Sequence, residues 1–254
     1  MAFTILYSGQ LLAQQQFSTG IETQKLGNTT ILFKTSCANE QQGIQFIHVH
    51  ENEATAVDAV YKMMDKYGRG CFVTWQSRGD RNISFKLGSR MYKFDPNRIY
   101  TSKGRKASLK ANFEYSNEAD SMVAAVANVF LRNYIDSQRL VVAVHNNTDG
   151  GGLTIDSFRK GGPYARDAKK VHCNKAMDED DFFLTTSLRI YNFIKSKGYS
   201  IVLQDNARVT DDGSLSVYAA SKNISYLNIE AQHGHLEQQL QMMDVVQEMI
   251  DTLF

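Results

Sequence analysis

The sequence predicts an α/β fold, a single compact domain on a mixed, largely parallel central sheet flanked by helices. Two observations predict it. Short runs rich in Val, Ile, Leu, Phe and Tyr alternate with longer segments whose apolar residues recur every three to four positions, the pattern of layered strands and helices. The chain, at 254 residues, is also of a length that one α/β domain reaches, and no repeat, Pro-rich stretch or Ser/Gly-rich linker divides it.

Strand-like runs lie at Thr29 to Thr35, Gln45 to Val49, Cys71 to Trp75, Asn82 to Leu87, Leu140 to Val144, Ser200 to Leu203 and Ser225 to Ile229. Between them, Val57, Val60, Tyr61 and Met64 share one helical face over Glu53 to Lys66, and Met122, Val126, Val129 and Phe130 do so over Asn117 to Tyr134. Leu184, Leu188, Tyr191 and Ile194 mark a third helix over Leu184 to Ser196; Leu236, Leu240, Met243, Val246 and Ile250 mark the last. Asp178-Glu179-Asp180-Asp181 precedes the third helix, where the helix dipole favours negative charge.

Composition narrows the function classes. Twenty-eight Lys plus Arg against twenty-seven Asp plus Glu leave a net charge of +1, so no overall field draws nucleic acid or an anionic membrane. No nucleic-acid partner is expected, and no apolar run of about 18 residues predicts a membrane span. Cys37, Cys71 and Cys173 lack C-x-x-C spacing, which argues against a structural zinc cluster and allows at most one disulfide. The start, through Leu12-Ala13-Gln14, has the apolar run and small residue of a secretory signal but no basic segment before it. Residues 1–20 are therefore expected to be a signal remnant or a disordered N-terminus, with the catalytic domain at 21–254 and export to the periplasm or beyond. The alternative is an ordinary first strand in a cytoplasmic protein.

Four segments carry chemistry. In Ile47-His48-Val49-His50-Glu51-Asn52-Glu53 an apolar strand ends at His50 and a helix begins near Glu53, so the imidazole and the carboxylate can converge as two zinc ligands. The same spacing also suits an exposed turn with Glu at a helix N-terminus. Leu140 to Val144 delivers His145 at another strand end, the natural third ligand, or else a His bonded among the loop carbonyls that follow. Arg90 and Asp95-Pro96-Asn97-Arg98 lie between them: Asn97 and Arg98 offer donors suited to a carboxylate and Arg90 a charge for an oxyanion, though Asp-Pro-Asn is also ordinary turn chemistry. Glu230 ends the run Tyr226 to Ile229, where a carboxylate can serve as general base. His233 and His235 follow it, as loop or supporting residues, or as ligands to a second metal.

Taken in order, these segments resemble the zinc carboxypeptidase superfamily, and most closely its succinylglutamate desuccinylase and aspartoacylase branch. That branch carries His-Gly-Asn-Glu, an Arg eight residues before the Arg of Asp-x-Asn-Arg-x-Phe, a strand-end His and a late strand-end Glu. The resemblance implies one zinc ion held by His50, Glu53 and His145, with Arg90 polarising the scissile carbonyl. It further implies that Asn97 and Arg98 hold a carboxylate and that Glu230 is the acid/base. The expected activity is hydrolysis of an amide bond in a carboxylate-bearing peptide or N-acyl amino acid, including cell-wall peptides. The alternative is a non-catalytic peptide- or glycan-binding protein on the same scaffold, using Arg98 and the loop from Asn146 to Gly152. Glu51 stands where the branch has Gly, Asn146 follows the second His where a smaller or hydroxyl residue is usual, and Tyr100 replaces Phe.

Overall fold

The structure, a computed structural model, describes residues 17–39, 43–149 and 153–254. The signal-like segment at residues 1–16 and the Gly150-Gly151-Gly152 loop lie outside the described residues. Among the described residues, nine strands make one sheet. Their spatial order is β1 (Ser18–Leu26), β2 (Thr29–Cys37), β4 (Cys71–Gln76), β3 (Ile44–His48), β7 (Leu140–Asn147), β11 (Ser225–Gln232), β9 (Phe182–Thr185), β10 (Ile201–Gln204) and β8 (Ala168–His172). The central block β4-β3-β7-β11 is parallel, and antiparallel pairings join β2 to it on one side and β9 on the other. β5 (Ile83–Leu87) and β6 (Arg90–Phe94) form a separate hairpin.

Helices cover both faces. α1 (Ala54–Tyr67), α4 (Leu188–Ser196) and α6 (Leu236–Leu253) pack on one, and α2 (Ser102–Asn112), α3 (Asn117–Phe130) and α5 (Leu215–Ser221) pack with the hairpin on the other. Strands buried on both faces read as continuous apolar runs rather than alternating ones, and β7 is the clearest case. Its Val141 and Ala143 join the α2/α3/α5 core, while Leu140, Val142 and Val144 join the α1/α4/α6 core.

Several elements differ from the sequence expectation. β1 reads Ser-Thr-Gly-Ile-Glu-Thr-Gln-Lys-Leu, mostly exposed, so it has no apolar run to announce it; it is held by pairing with β2 across the turn at Gly27-Asn28, where Gly27 has φ +56°. It starts at Ser18, so residues 18–20 belong to the sheet. Phe182-Phe183-Leu184 is strand β9 and not the start of a helix, because it is inserted between β11 and β10; the helix begins at Leu188. Short apolar runs carry no periodicity that separates strand from helix. The acidic residues before it therefore precede a strand, and Asp180 and Asp181 are buried.

Cys37 and Cys71 are directly opposed in β2 and β4 and form a disulfide; Cys173 is free. The bridge closes a loop with a sequence separation of 34, which includes β3 and α1. Replacing both cysteines with Ser is expected to destabilise the chain by about 2 to 4 kcal/mol through the greater freedom of the unfolded state, measured as a lower urea midpoint with a steeper slope.

Candidate metal centre

The carboxyl ends of β3, β7 and β11 face the same edge of the sheet, where ligands gather in open α/β folds. His145 follows Val141 and Ala143 on the α2/α3/α5 face, and Glu230 follows Tyr226 on that face. The two are direct partners in the β7–β11 register. His50 lies just beyond β3, and a turn closed by Glu53 N–H donating to the His50 carbonyl at 3.0 Å leads into α1.

His50, Glu53 and His145 come together from these three places, with one ligand atom of each within 4.8 Å of the others. His50 Nδ1 is 2.9 Å from Glu53 Oε1, His145 Nδ1 is 2.9 Å from Glu53 Oε2, and the two Nδ1 atoms are 3.2 Å apart. All three side chains are buried. His50 Nε2 is 2.8 Å from Asp95 Oδ1, and a carboxylate there holds the proton on Nε2 and leaves the Nδ1 lone pair for a ligand. Two imidazole nitrogens and a carboxylate, oriented from behind, fit a zinc ion with an open fourth position.

Electrostatics follow from burial and proximity. Burial alone would push Glu53 up, but the imidazoles of His145 and His50 outweigh it and hold the carboxyl well below its ordinary value. Burial would likewise lower His50, yet Glu53 and Asp95 raise it overall. Burial pushes Glu230 up, reinforced by the Glu53 charge and opposed by His145 and by the Asn228 amide that donates to Glu230 Oε1 at 2.8 Å. His48 lies on the opposite face beside Phe72, and burial takes it down to about 3, so it stays neutral.

Other groups that support the centre have no signature in the sequence. Glu51 Oε2 accepts from the backbone N–H groups of Ser77 and Gly79, both at 2.7 Å, and so ties the loop after β4 to the ligand turn. That loop delivers Arg81, whose guanidinium donates to Glu53 Oε1 and lies 3.9 Å from Asp95 Oδ2. Arg90 is placed differently: it is exposed at the turn end of the hairpin, opposite Leu87, about 13 Å of strand from Phe94. The cation brought to Glu53 is therefore Arg81.

Asn97 and Arg98 sit in a 3-10 turn, Pro96–Arg98, capped by Asp95 Oδ1 accepting from Asn97 N–H at 2.7 Å. Asn97 Oδ1 accepts from Leu215 N–H at 3.2 Å, and Arg98 Nε lies 3.4 Å from Asp212 Oδ2. Gly213 and Gly104 allow this close approach: a Cβ on Gly104 would meet Gly213 Cα at 2.1 Å. Among the described interactions, His233 reaches Asn147 through its backbone and His235 faces Asp181; neither joins the His50–Glu53–His145 group.

Asn146 holds the centre from behind. Its Oδ1 accepts from Ala56 N–H in the first turn of α1 at 2.8 Å, its Nδ2 donates to Gln239 Oε1 at 3.0 Å, and its own N–H lies 3.2 Å from Glu53 Oε2. Gln239 Nε2 in turn donates to the His145 carbonyl at 3.1 Å. Asn146→Ala would leave the α1 donor and the Gln239 acceptor buried without partners. A loss of about 2 kcal/mol in unfolding free energy is expected in urea titration of the metal-free chain.

Neither protein-family models nor curated protein sequences match the chain. Solved structures do. The chain is similar to thrombin activatable fibrinolysis inhibitor at 14% identity, covering 92% of this chain and 69% of that one with a TM-score of 0.52. It is also similar to succinylglutamate desuccinylase from Vibrio parahaemolyticus (12% identity, 94% and 78% covered, TM-score 0.47). A third similar structure is a metallo-carboxypeptidase from Burkholderia cenocepacia (12% identity, 96% and 67% covered, TM-score 0.45). At such identities the likeness is one of architecture: the chain shares the α/β fold of the thrombin activatable fibrinolysis inhibitor structure.

Proposed function

We propose that this protein is a zinc-dependent hydrolase that cleaves an amide bond in a carboxylate-bearing substrate, a peptide or an N-acyl amino acid. The observation that carries the reading is the buried His50–Glu53–His145 group with Glu230 beside it in register. A zinc ion held there supplies a Lewis acid that polarises the scissile carbonyl and makes water acidic enough to attack at neutral pH.

The residues divide the remaining work. Glu230 takes the proton of the attacking water and returns it to the leaving amine; its raised pKa brings it closer to the operating pH of such a base. Arg81, within electrostatic reach of Glu53, Asp95 and Glu230, supplies the positive charge for the developing oxyanion, the role the sequence reading gives to Arg90. Asn97 and Arg98 hold the substrate carboxylate, with Arg98 partly exposed and steadied by Asp212. The Cys37–Cys71 bridge supports an oxidising location such as the periplasm or the exterior. Among the described residues no helix is long and apolar enough to cross a membrane.

Elemental analysis of protein purified without chelator is expected to find about one zinc per chain, lost in folded His50→Ala and Glu53→Ala variants. No bound metal after zinc is supplied would leave a scaffold for binding alone. Glu230→Gln should keep the zinc yet lower kcat by about a hundred- to ten-thousand-fold on N-acyl amino acids or carboxylate-bearing peptides.

The base form of Glu230 exists above its raised pKa. The wild-type kcat/KM should therefore fall on the acid side through an ionisation that Glu230→Gln abolishes. An acid limb that persists unchanged in the residual activity of Glu230→Gln would contradict that role.

A further inference from the structure

A second cleft, of about 450 Å³, lies between the start of α6, the turn from α4 into β10 and the loop before β9. Met242 and Tyr199 on its wall belong to the α1/α4/α6 side of the sheet, so it opens on the face opposite His145 and Glu230. Its volume suits a ligand of amino-acid size.

The charges in it do not balance. Asp181 lines the cleft with a side chain only 4% exposed. One of its oxygens accepts from Gln232 N–H at 2.9 Å, and the other lies 3.7 Å from His235 Nδ1, beyond hydrogen-bond range. His235 Nδ1 is itself buried without a hydrogen bond. Lys197, the cation that lines the cleft, is engaged by Glu248. Burial raises the Asp181 carboxyl, reinforced by the charge of Asp178 in the same cleft and opposed by the Gln232 N–H and the His235 ring. Met177, Met242 and Tyr199 add a flexible apolar wall of the kind that accommodates methylene chains.

We propose that this cleft binds an alkylammonium group, with the cationic head against Asp181 and the methylene chain along Met177, Met242 and Tyr199. A free diamine and a lysine side chain share that chemistry. The inference stands apart from the hydrolase reading, since it uses none of the residues assigned to the metal centre. It still bears on that centre, because the α6 turn that walls the cleft also carries Gln239, which holds the His145 carbonyl.

The test is calorimetric titration of the full chain at about pH 8, where an alkylamine is protonated and a carboxyl ionised. The probes are 1,5-diaminopentane, Nα-acetyl-lysine amide and, as neutral isostere, 1,5-pentanediol. At least one amine should bind saturably and the diol should not; which amine binds distinguishes a free diamine from a lysine side chain. Asp181→Asn retains an acceptor for Gln232 N–H, so the fold should persist in a thermal melt while amine affinity falls by about tenfold or more with loss of the charged contact. Gln241→Trp, which fills the cleft without touching Asp181, should abolish binding. Absence of saturable amine binding, equal binding of the diol, or unchanged affinity in both variants would overturn the proposal.

Discussion

One buried carboxylate organises this molecule. Glu53 is almost wholly removed from water, and an ionised carboxylate is tolerated there only when opposite charge and donors surround it. His50, His145, the Asn146 N–H and Arg81 all converge on its two oxygens. These groups come from three places, so the turn after β3, the end of β7 and the loop after β4 are tied together by the neutralisation of a single group. The same requirement makes the place suited to a dication, which satisfies that charge more fully than hydrogen bonds can.

The two faces of the sheet divide the labour by parity. Along β7 and β11, alternate residues enter opposite cores, so shifting either strand by one residue would turn His145 or Glu230 toward the α1/α4/α6 side. Apolar packing on both faces therefore sets where the imidazole and carboxylate point. The polar groups at the strand ends inherit an orientation paid for by Leu140, Val142, Leu227 and Ile229, which are wholly buried.

Strands β3, β7 and β11 and their polar ends were legible in the sequence because each is a local event: a mainly apolar run that leads to His or Glu. The order of the motifs led to the same architecture. Contacts between loops far apart in the chain were not legible. Arg81 meets Glu53 across 28 residues and Asp95 meets His50 across 45, and neither partner belongs to a periodic pattern. Asp95 looked like turn chemistry, and it is that too, since one oxygen caps Asn97 N–H while serving His50. Strand β9 misled for the opposite reason: its apolar residues fit both periods, and only its neighbours in the sheet decide between them.

The capping of α1 by Asn146 sets an order of assembly. Glu53 occupies the helix N-cap position, but its side chain turns to the imidazoles and caps nothing, so the donor at Ala56 waits for a residue 90 positions later in the chain. As the polypeptide emerges from the ribosome, α1 and its carboxylate exist before β7 does. Until β7 docks, the Ala56 N–H lacks its cap and Glu53 lacks its His145 partner. On the proposed zinc reading, metal capture would therefore wait for completion of the sheet.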